Sequence, residues 1–207
     1  LDAPDTGQML IGEQGVPVER GMVGVVAQHY PLFAHRTVLG NLMVAGRRAG
    51  LSSERARERA LGFLRRFGLE DRATRYPVEL SGGQRQRIAI AQQFMCSEHY
   101  LLMDEPFSGL DPNAVDSVCD LIHEVAHAHT FNTIIVVTHD ITAALQVADT
   151  IWLLGRDRDE AGRPIPGARV QETYNLMDRG LAWKRGLTST PAFLELLGEI
   201  RARFATL

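Results

Sequence analysis

Two acidic side chains, Asp104 and Glu105, directly follow the apolar run Leu101–Met103. A run of this kind is consistent with a buried strand, and in open α/β sheets ligands and catalytic groups gather beyond the carboxyl ends of the strands. Carboxylate oxygens suit Mg²⁺, and a carboxylate can also act as a general base towards water. The pair is therefore a candidate Mg²⁺ site, but a strand end with two solvated acids would have the same pattern.

A second segment with chemical potential is Ser81-Gly82-Gly83-Gln84. Ser81 and Gln84 have the spacing of a capping box, which predicts a helix N-terminus. Two glycines in a first turn weaken a helix by about 1 kcal/mol each relative to alanine. They are useful where the backbone must approach a bulky anion, which the N–H groups and dipole of a helix N-terminus attract. The segment therefore predicts an anion site, and the alternative is a well-capped helix without a ligand.

Three further polar residues follow apolar runs or begin a helix. His139 follows the run Thr133–Val137, Gln28 follows a run that ends at Ala27, and Asp111 precedes a proline. Asp before Pro is typical of an N-cap followed by the first residue of a helix. Taken singly, a histidine or glutamine after a strand is most simply a polar cap.

The segment His123–His127 reads HEVAH and so satisfies the HExxH pattern of zinc proteases. The extended form of that motif fails, because Thr130 and Thr133 occupy the places of its glycine and third histidine. Asp116 and Asp120 share a predicted helical face with the two histidines. We therefore interpret this face as solvated and polar, and zinc catalysis is the disfavoured alternative.

Composition narrows the class of protein. The 207 residues are 45% hydrophobic, enough for one substantial core with a subdomain attached. The formal net charge of −3 favours no nucleic-acid partner. Two cysteines, Cys96 and Cys119, are too few for a disulfide framework, which fits a reducing compartment.

The hydrophobic pattern predicts alternating strands and helices. Apolar positions three and four residues apart predict a helix over Ser52–Phe67 that stops at Gly68, and another helix follows Asp111 with the stripe Val115, Val118, Ile122 and Val125. The strands are predicted at 8–11, 22–27, 100–103, 133–137 and 151–154, with later helices at 142–148 and 191–204. This alternation predicts a parallel sheet covered by helices.

The order and spacing of these motifs resemble an ATP-binding cassette (ABC) nucleotide-binding domain over roughly residues 5–155. The string LSGGQRQR stands at 80–87, SGLD at 108–111 and VTHD at 137–140. The resemblance implies an α/β fold of the P-loop NTPase (ABC ATPase) class, with a parallel sheet and a helical subdomain. The phosphate-loop motif GxxxxGK[ST] is absent from the 207 residues, whose single lysine is Lys184. We therefore expect an N-terminally truncated domain without the phosphate-loop strand and helix.

The resemblance implies a role for each candidate residue, with ATP and Mg²⁺ as cofactors. Asp104 and Gln28 would serve the Mg²⁺ ion, and Glu105 would be the general base that polarises the attacking water. Gln28 and His139 would join the catalytic set, with His139 sensing the γ-phosphate. The cofactor-binding set would be Ser81, Gly82, Gly83 and Gln84, which would contact the ATP that the opposite protomer holds, together with Asp111, which would cross the dimer interface.

The resemblance also implies a division of the chain. Residues 1–27 would be a remnant of the β subdomain and core, and 28–95 the segment from Gln28 through the helical subdomain to the signature helix. Residues 96–155 would form the core from Asp104 to His139, and 156–207 a C-terminal extension. The extension is faintly similar to those of nitrate, sulfonate and taurine importer ATPases.

The implied function is that of an ATP-binding and ATP-hydrolysing subunit of a membrane transporter, with an importer preferred because of the segment after Gln28. Its partners would be a membrane permease and a second ATP-binding subunit in a head-to-tail pair, on the cytoplasmic face of the membrane, with no nucleic acid. Without the phosphate loop, the chain alone is expected to be inactive. The alternatives are a soluble ABC ATPase of DNA repair or translation, a loop-less interaction module, and the zinc protease.

Overall fold

The computed structural model describes residues 4–19, 22–26, 31–96, 100–126, 133–184 and 186–207, apart from the side chain of Val125. The chain forms two compact units: the first contains residues 1–110 and 124–137, and the second contains 111–123 and 138–207. The strands are β1 Leu10–Ile11, β2 Val16–Pro17, β3 Val23–Val26, β4 Tyr100–Asp104, β5 Thr133–Val137, β6 Thr150–Gly155 and β7 Arg169–Asn175. The helices are α1 Val38–Arg48, α2 Ser53–Arg66, α3 Gly82–Cys96, α4 Pro112–Ala126, α5 Ile141–Val147 and α6 Pro191–Phe204.

The first unit contains a three-stranded parallel sheet in the order β3-β4-β5, beside the small hairpin β1-β2. In the register of this sheet Met103 stands opposite Val26 on one side and Val136 on the other. Because all three strands run the same way, their carboxyl ends lie along one edge, where Asp104 is the last residue of β4. The strand order therefore places the acidic pair where parallel sheets usually carry their chemistry.

Helices α1, α2 and α3 pack together in the first unit. Helix α2 begins after Ser52, whose side chain accepts a hydrogen bond from the N–H of Arg55, and ends before Gly68, which has a φ of 63°. The predicted helix over Ser52–Phe67 is confirmed within a residue at each end. Its buried face consists of Ala56, Ala60 and Leu64, as the three- and four-residue spacing requires.

Gly46 allows α1 to approach both neighbouring helices closely. A Cβ atom at this position would lie 2.6 Å from the Met95 methyl group of α3 and 2.9 Å from the Ala56 Cβ of α2. Both distances are too short for real atoms, so even alanine would push the helices apart. The absence of a side chain at Gly46 therefore permits the close packing of α1, α2 and α3.

The second unit has its own hydrophobic core between the β6-β7 pair and helices α5 and α6. Its buried residues are Leu145, Leu153, Tyr174, Leu176, Leu181, Phe193, Leu196, Leu197 and Ile200. Helix α6 is N-capped by Thr190 and has proline in its first turn, as the sequence predicted for 191–204. This unit therefore has an apolar core of its own.

The pairing of β6 differs from the sequence-based expectation. The run 151–154 was expected in the parallel sheet, but β6 pairs antiparallel with β7, a strand that the sequence analysis did not predict. The β7 segment RVQETYN has only two large apolar or aromatic residues, Val170 and Tyr174, so its periodicity is weak. In the first unit β5 pairs with β4, and among the described strands its other edge has no neighbour.

Candidate functional site

The signature turn, Ser81–Gln84, forms the N-terminus of α3. The N–H of Ser81 donates to Gln84 Oε1 at 3.0 Å, and the N–H of Gln84 donates to Ser81 Oγ at 3.3 Å. These reciprocal bonds are the predicted capping box. They orient the first turn of a helix that is otherwise anchored by the buried residues Ile88 and Ile90.

The two glycines of the signature turn face open space. A Cβ atom at Gly82 or Gly83 would meet no other atom within 4 Å. Neither glycine has a positive φ, so backbone conformation does not require them. Because the first N–H groups of a helix have no intrahelical partner, this surface can receive an anion without steric hindrance.

The acidic strand end consists of Asp104, which is exposed, and Glu105, which is half-buried. Glu105 has a φ of 48°, the left-handed region that favours glycine. Its N–H donates to the carbonyl of Val137 on β5 at 2.8 Å, and its carbonyl accepts from the N–H of Ser108 at 3.2 Å. These bonds hold a backbone that turns sharply away from the strand direction, with the carboxylate at the turn.

A side chain of α3 contacts the residue after this turn. Gln86 is fully buried, and its Nε2 donates a hydrogen bond to the backbone carbonyl of Pro106. Its Oε1 atom is buried and has no hydrogen-bond partner among the described residues. Within the first unit, the helix of the signature turn and the acidic strand end are therefore in direct contact.

Two other predicted site residues, Asp111 and His139, belong to the second unit. Asp111 precedes α4, and its Oδ1 accepts from the N–H of Ala114 at 3.0 Å, which confirms the predicted N-cap. His139 is exposed in the turn before α5. The next residue, Asp140, fixes this turn, because its N–H donates to Thr138 Oγ1 and its carboxylate caps α5, each at 3.0 Å.

The remaining predicted site residue, Gln28, lies outside the described residues. The structure thus brings together the signature turn helix and the acidic strand end, Asp104 and Glu105. It describes Asp111 and His139 only within their own unit. The chemical roles of all these residues remain predictions.

The prediction of a solvated polar face on α4 is wrong at His123, which is buried. His123 is only 7% exposed, its Nε2 lies 2.7 Å from the Gln146 carbonyl, and its ring makes an edge contact with Trp183. The sequence pattern missed this because the covering groups come from distant parts of the chain. The second histidine of the HExxH segment, His127, lies outside the described residues.

A cavity of about 340 Å³ in the second unit adjoins this face of α4. Cys119 and His123 line it together with Asp116, Asp120 and Lys184. Burial, followed by the nearby Asp116 carboxylate, raises the pKa of the Cys119 thiol to about 12. The thiol is therefore protonated at neutral pH and is a poor nucleophile or metal ligand there.

Sequence reasoning missed two buried polar residues of the first unit, Gln86 and Asn41. Asn41 Oδ1 accepts from the N–H of Phe33 at 2.7 Å, and its Nδ2 lies 3.0 to 3.2 Å from the carbonyls of Phe33, Arg36 and Thr37. It thereby ties the 33–37 turn to α1. The available signal was periodicity, because Gln86 precedes Ile90 and Asn41 precedes Ala45 by one turn on a buried face.

Comparison with known proteins identifies the family. Residues 1–108 match the family described as ABC transporter. A probable ABC transporter ATP-binding protein, PEB1C of Campylobacter jejuni, is 41% identical over 66% of this chain and 56% of its own. The methionine import ATP-binding protein MetN of Ligilactobacillus salivarius is 34% identical over 79% of this chain and 45% of its own. The glutamine transport ATP-binding protein GlnQ of Geobacillus stearothermophilus is 39% identical over 67% of this chain and 57% of its own. The chain thus spans about half the length of these curated relatives.

A solved structure agrees with the sequence matches. The ATP-binding cassette MJ0796, in a dimeric post-hydrolysis state bound to ADP and Pi, superposes with a TM-score of 0.63. It is 27% identical, and the match covers 84% of this chain and 75% of that one. No helix in the described part of the chain is both long and apolar enough to cross a membrane. On these matches, and on the order of its motifs, the chain belongs to the ABC transporter family of ATP-binding proteins, whose members are ATP-hydrolysing enzymes.

Proposed function

We propose that this chain acts in an ABC transporter of the importer type, in which ATP hydrolysis drives the uptake of a solute. The relatives MetN and GlnQ, named for methionine import and glutamine transport, support this direction. The partner would be a membrane permease, and the chain would lie on the cytoplasmic face of the membrane. The segment 28–95, proposed to run from Gln28 through the helical subdomain to the signature helix, would include α1, α2 and all of α3 but its last residue.

The acidic strand end would supply the metal and water chemistry of the proposed site. Asp104 offers an exposed carboxylate suited to Mg²⁺, and Gln28 would contribute to the same ion. Mg²⁺ would neutralise charge that develops on the phosphates. Glu105 would accept a proton from the attacking water as a general base. The bond from its N–H to the carbonyl of Val137 would help to hold it in place.

The signature turn would act on a nucleotide held by a second chain. Ser81 and the N–H groups of Gly82 and Gly83 would contact the γ-phosphate, because this helix N-terminus is capped, unobstructed and favourable to negative charge. Asp111 would lie near the same dimer interface, and His139 would contact the γ-phosphate of its own chain's site. The neighbour MJ0796, which is dimeric with ADP and Pi, supports a paired arrangement.

The observation that carries the proposal is the open, capped signature turn on α3, the same helix that contacts the residue after the acidic strand end. The 207 residues contain no GxxxxGK[ST] loop to cradle the β- and γ-phosphates. We therefore propose that these 207 residues alone do not turn over Mg-ATP.

The experiment is steady-state phosphate release by the purified chain with Mg-ATP, with Glu105→Gln as its matched control. The proposal expects the two proteins to show the same background rate. Turnover by the unaltered chain that Glu105→Gln abolishes would overturn the proposed inactivity of the 207 residues.

A further inference from the structure

The buried side-chain amide of Gln86 is hydrogen-bonded at its nitrogen but not at its oxygen. A backbone carbonyl can only accept a hydrogen bond, so the Nε2 end of the amide must face Pro106 and the Oε1 end must face away. Among the described residues nothing donates to that oxygen. A buried acceptor without a partner is unfavourable, so Gln86 is a poor choice if its purpose were only to fill the core.

The bond from Gln86 ends at a backbone turn that is itself under restraint. Glu105, the residue before Pro106, has a left-handed φ of 48° without being glycine. Its N–H is held by Val137 on β5. The turn is thus fixed from the sheet at the N–H of Glu105 and from α3 at the carbonyl of Pro106.

We propose that Gln86 is a positioning residue that holds the backbone turn of Glu105 from the signature helix. The inference rests on the proposed role of Glu105 as the general base. Gln86 lies five residues after Ser81 on α3, so the same helix carries the signature turn and steadies the glutamate. In each chain, one hydrogen bond would then link the signature turn, which would act on the nucleotide of the second chain, to the acidic strand end of the chain's own site.

The test compares two glutamines of α3 that both bond to backbone groups. Gln86→Met keeps the length of the side chain and removes its amide. The matched control is Gln93→Met, because Gln93 Oε1 accepts from the N–H of Val25 on β3 at 3.3 Å. The measurement is hydrogen exchange and the ¹H–¹⁵N resonance of each backbone amide in the full 207-residue chain, without nucleotide.

We expect Gln86→Met to accelerate exchange at the Glu105 and Ser108 amides by about tenfold, equivalent to about 1.4 kcal/mol, and to shift their resonances. Exchange at Val25 should stay unchanged, while Gln93→Met should give the reverse pattern. The free energy of global unfolding should fall by less than exchange at these two amides indicates, because losing the buried unpaired Oε1 atom offsets part of the cost of leaving the Pro106 carbonyl without this donor.

Unchanged exchange at Glu105 and Ser108 in Gln86→Met would overturn the inference. Equal acceleration of hydrogen exchange at all amides would also overturn the inference. That result would indicate that Gln86 stabilises the core as a whole and does not specifically hold the turn. The experiment needs no ATP, so its outcome is independent of whether the proposed function is correct.

Discussion

The N–H of Glu105 donates to the carbonyl oxygen of Val137 at 2.8 Å, immediately after the last register pair of β4 and β5, which is Asp104 opposite Val137. The hydrogen bonding of the sheet therefore continues one residue beyond the strand, although the φ of Glu105 is 48°. The strand end and the turn are built together, and the carboxylate lies where they meet. The left-handed backbone conformation at Glu105 can therefore be tested by substitution.

Glycine should suit position 105 better than alanine does. A left-handed conformation costs an L-residue with a Cβ about 1 kcal/mol that glycine avoids. We therefore expect Glu105→Gly to have a free energy of unfolding about 1 kcal/mol higher than Glu105→Ala, measured by urea denaturation. Glu58, exposed in the middle of α2, is the control and should show the opposite order. Alanine equal to or better than glycine at 105 would refute the strain.

The caps of α2 and α3 offer a matched pair of serines. Ser52 Oγ accepts from the N–H of Arg55, and Ser81 Oγ accepts from that of Gln84, each at 3.3 Å. Replacing either serine by alanine should lower the free energy of unfolding by about 1 kcal/mol. Thermal and urea unfolding of both variants check this. A loss at Ser81 several times that at Ser52 would show that Ser81 does more for folding than cap a helix.

Asn41 should be among the costliest polar residues to remove from the first unit. Asn41→Ala would remove the Oδ1 atom that accepts from the N–H of Phe33, and a backbone donor left without a partner costs about 1–3 kcal/mol. We expect a loss above about 2 kcal/mol, measured by urea denaturation. Asn113→Ala, at an exposed position of α4, should stay within about 0.5 kcal/mol of the parent chain. Similar values for the two variants would contradict the role of Asn41 in tying the 33–37 turn to α1.

Glu172 on β7 should make the stability of the second unit depend on acid pH. The Tyr174 hydroxyl hydrogen bond, followed by Arg203, lowers the pKa of this carboxyl. A lowered folded-state pKa adds stability that is present above the unfolded pKa and is lost as pH falls through the folded pKa. Glu172→Gln should therefore unfold at a lower temperature than the parent chain at neutral pH, with the difference shrinking in acid.

Tyr174→Phe provides the control for this pH dependence. It removes the hydroxyl that donates to Glu172 Oε2 at 2.7 Å, so the Gln substitution should have a smaller neutral-pH effect in that background. If the difference in unfolding temperature between Glu172→Gln and the parent chain is constant across pH, the lowered pKa of Glu172 is contradicted.

The sequence predicts those parts of the structure that depend on contacts between residues close together in the chain. The helix after Ser52, the capping box and the N-cap at Asp111 were predictable because each rests on contacts within a few residues. The parallel sheet followed from the alternation of strands and helices.

The parts that sequence did not predict depend on distant partners. Strand β7 has little periodicity, so only its pairing with β6 identifies it. The burial of His123 requires Gln146 and Trp183, and the contact from Gln86 requires Pro106, 20 residues away. None of these contacts leaves a pattern in a local window of sequence.

We propose that this chain completes, through Ser81, an ATP site held by another chain. The most direct measurement is Mg-ATP-dependent association, by analytical ultracentrifugation, with a loop-bearing ABC subunit whose own signature serine is replaced by alanine. We predict association that requires Mg-ATP, is lost in Ser81→Ala and persists in Ser52→Ala. An absence of association, or association indifferent to ATP or to Ser81, would contradict the claim.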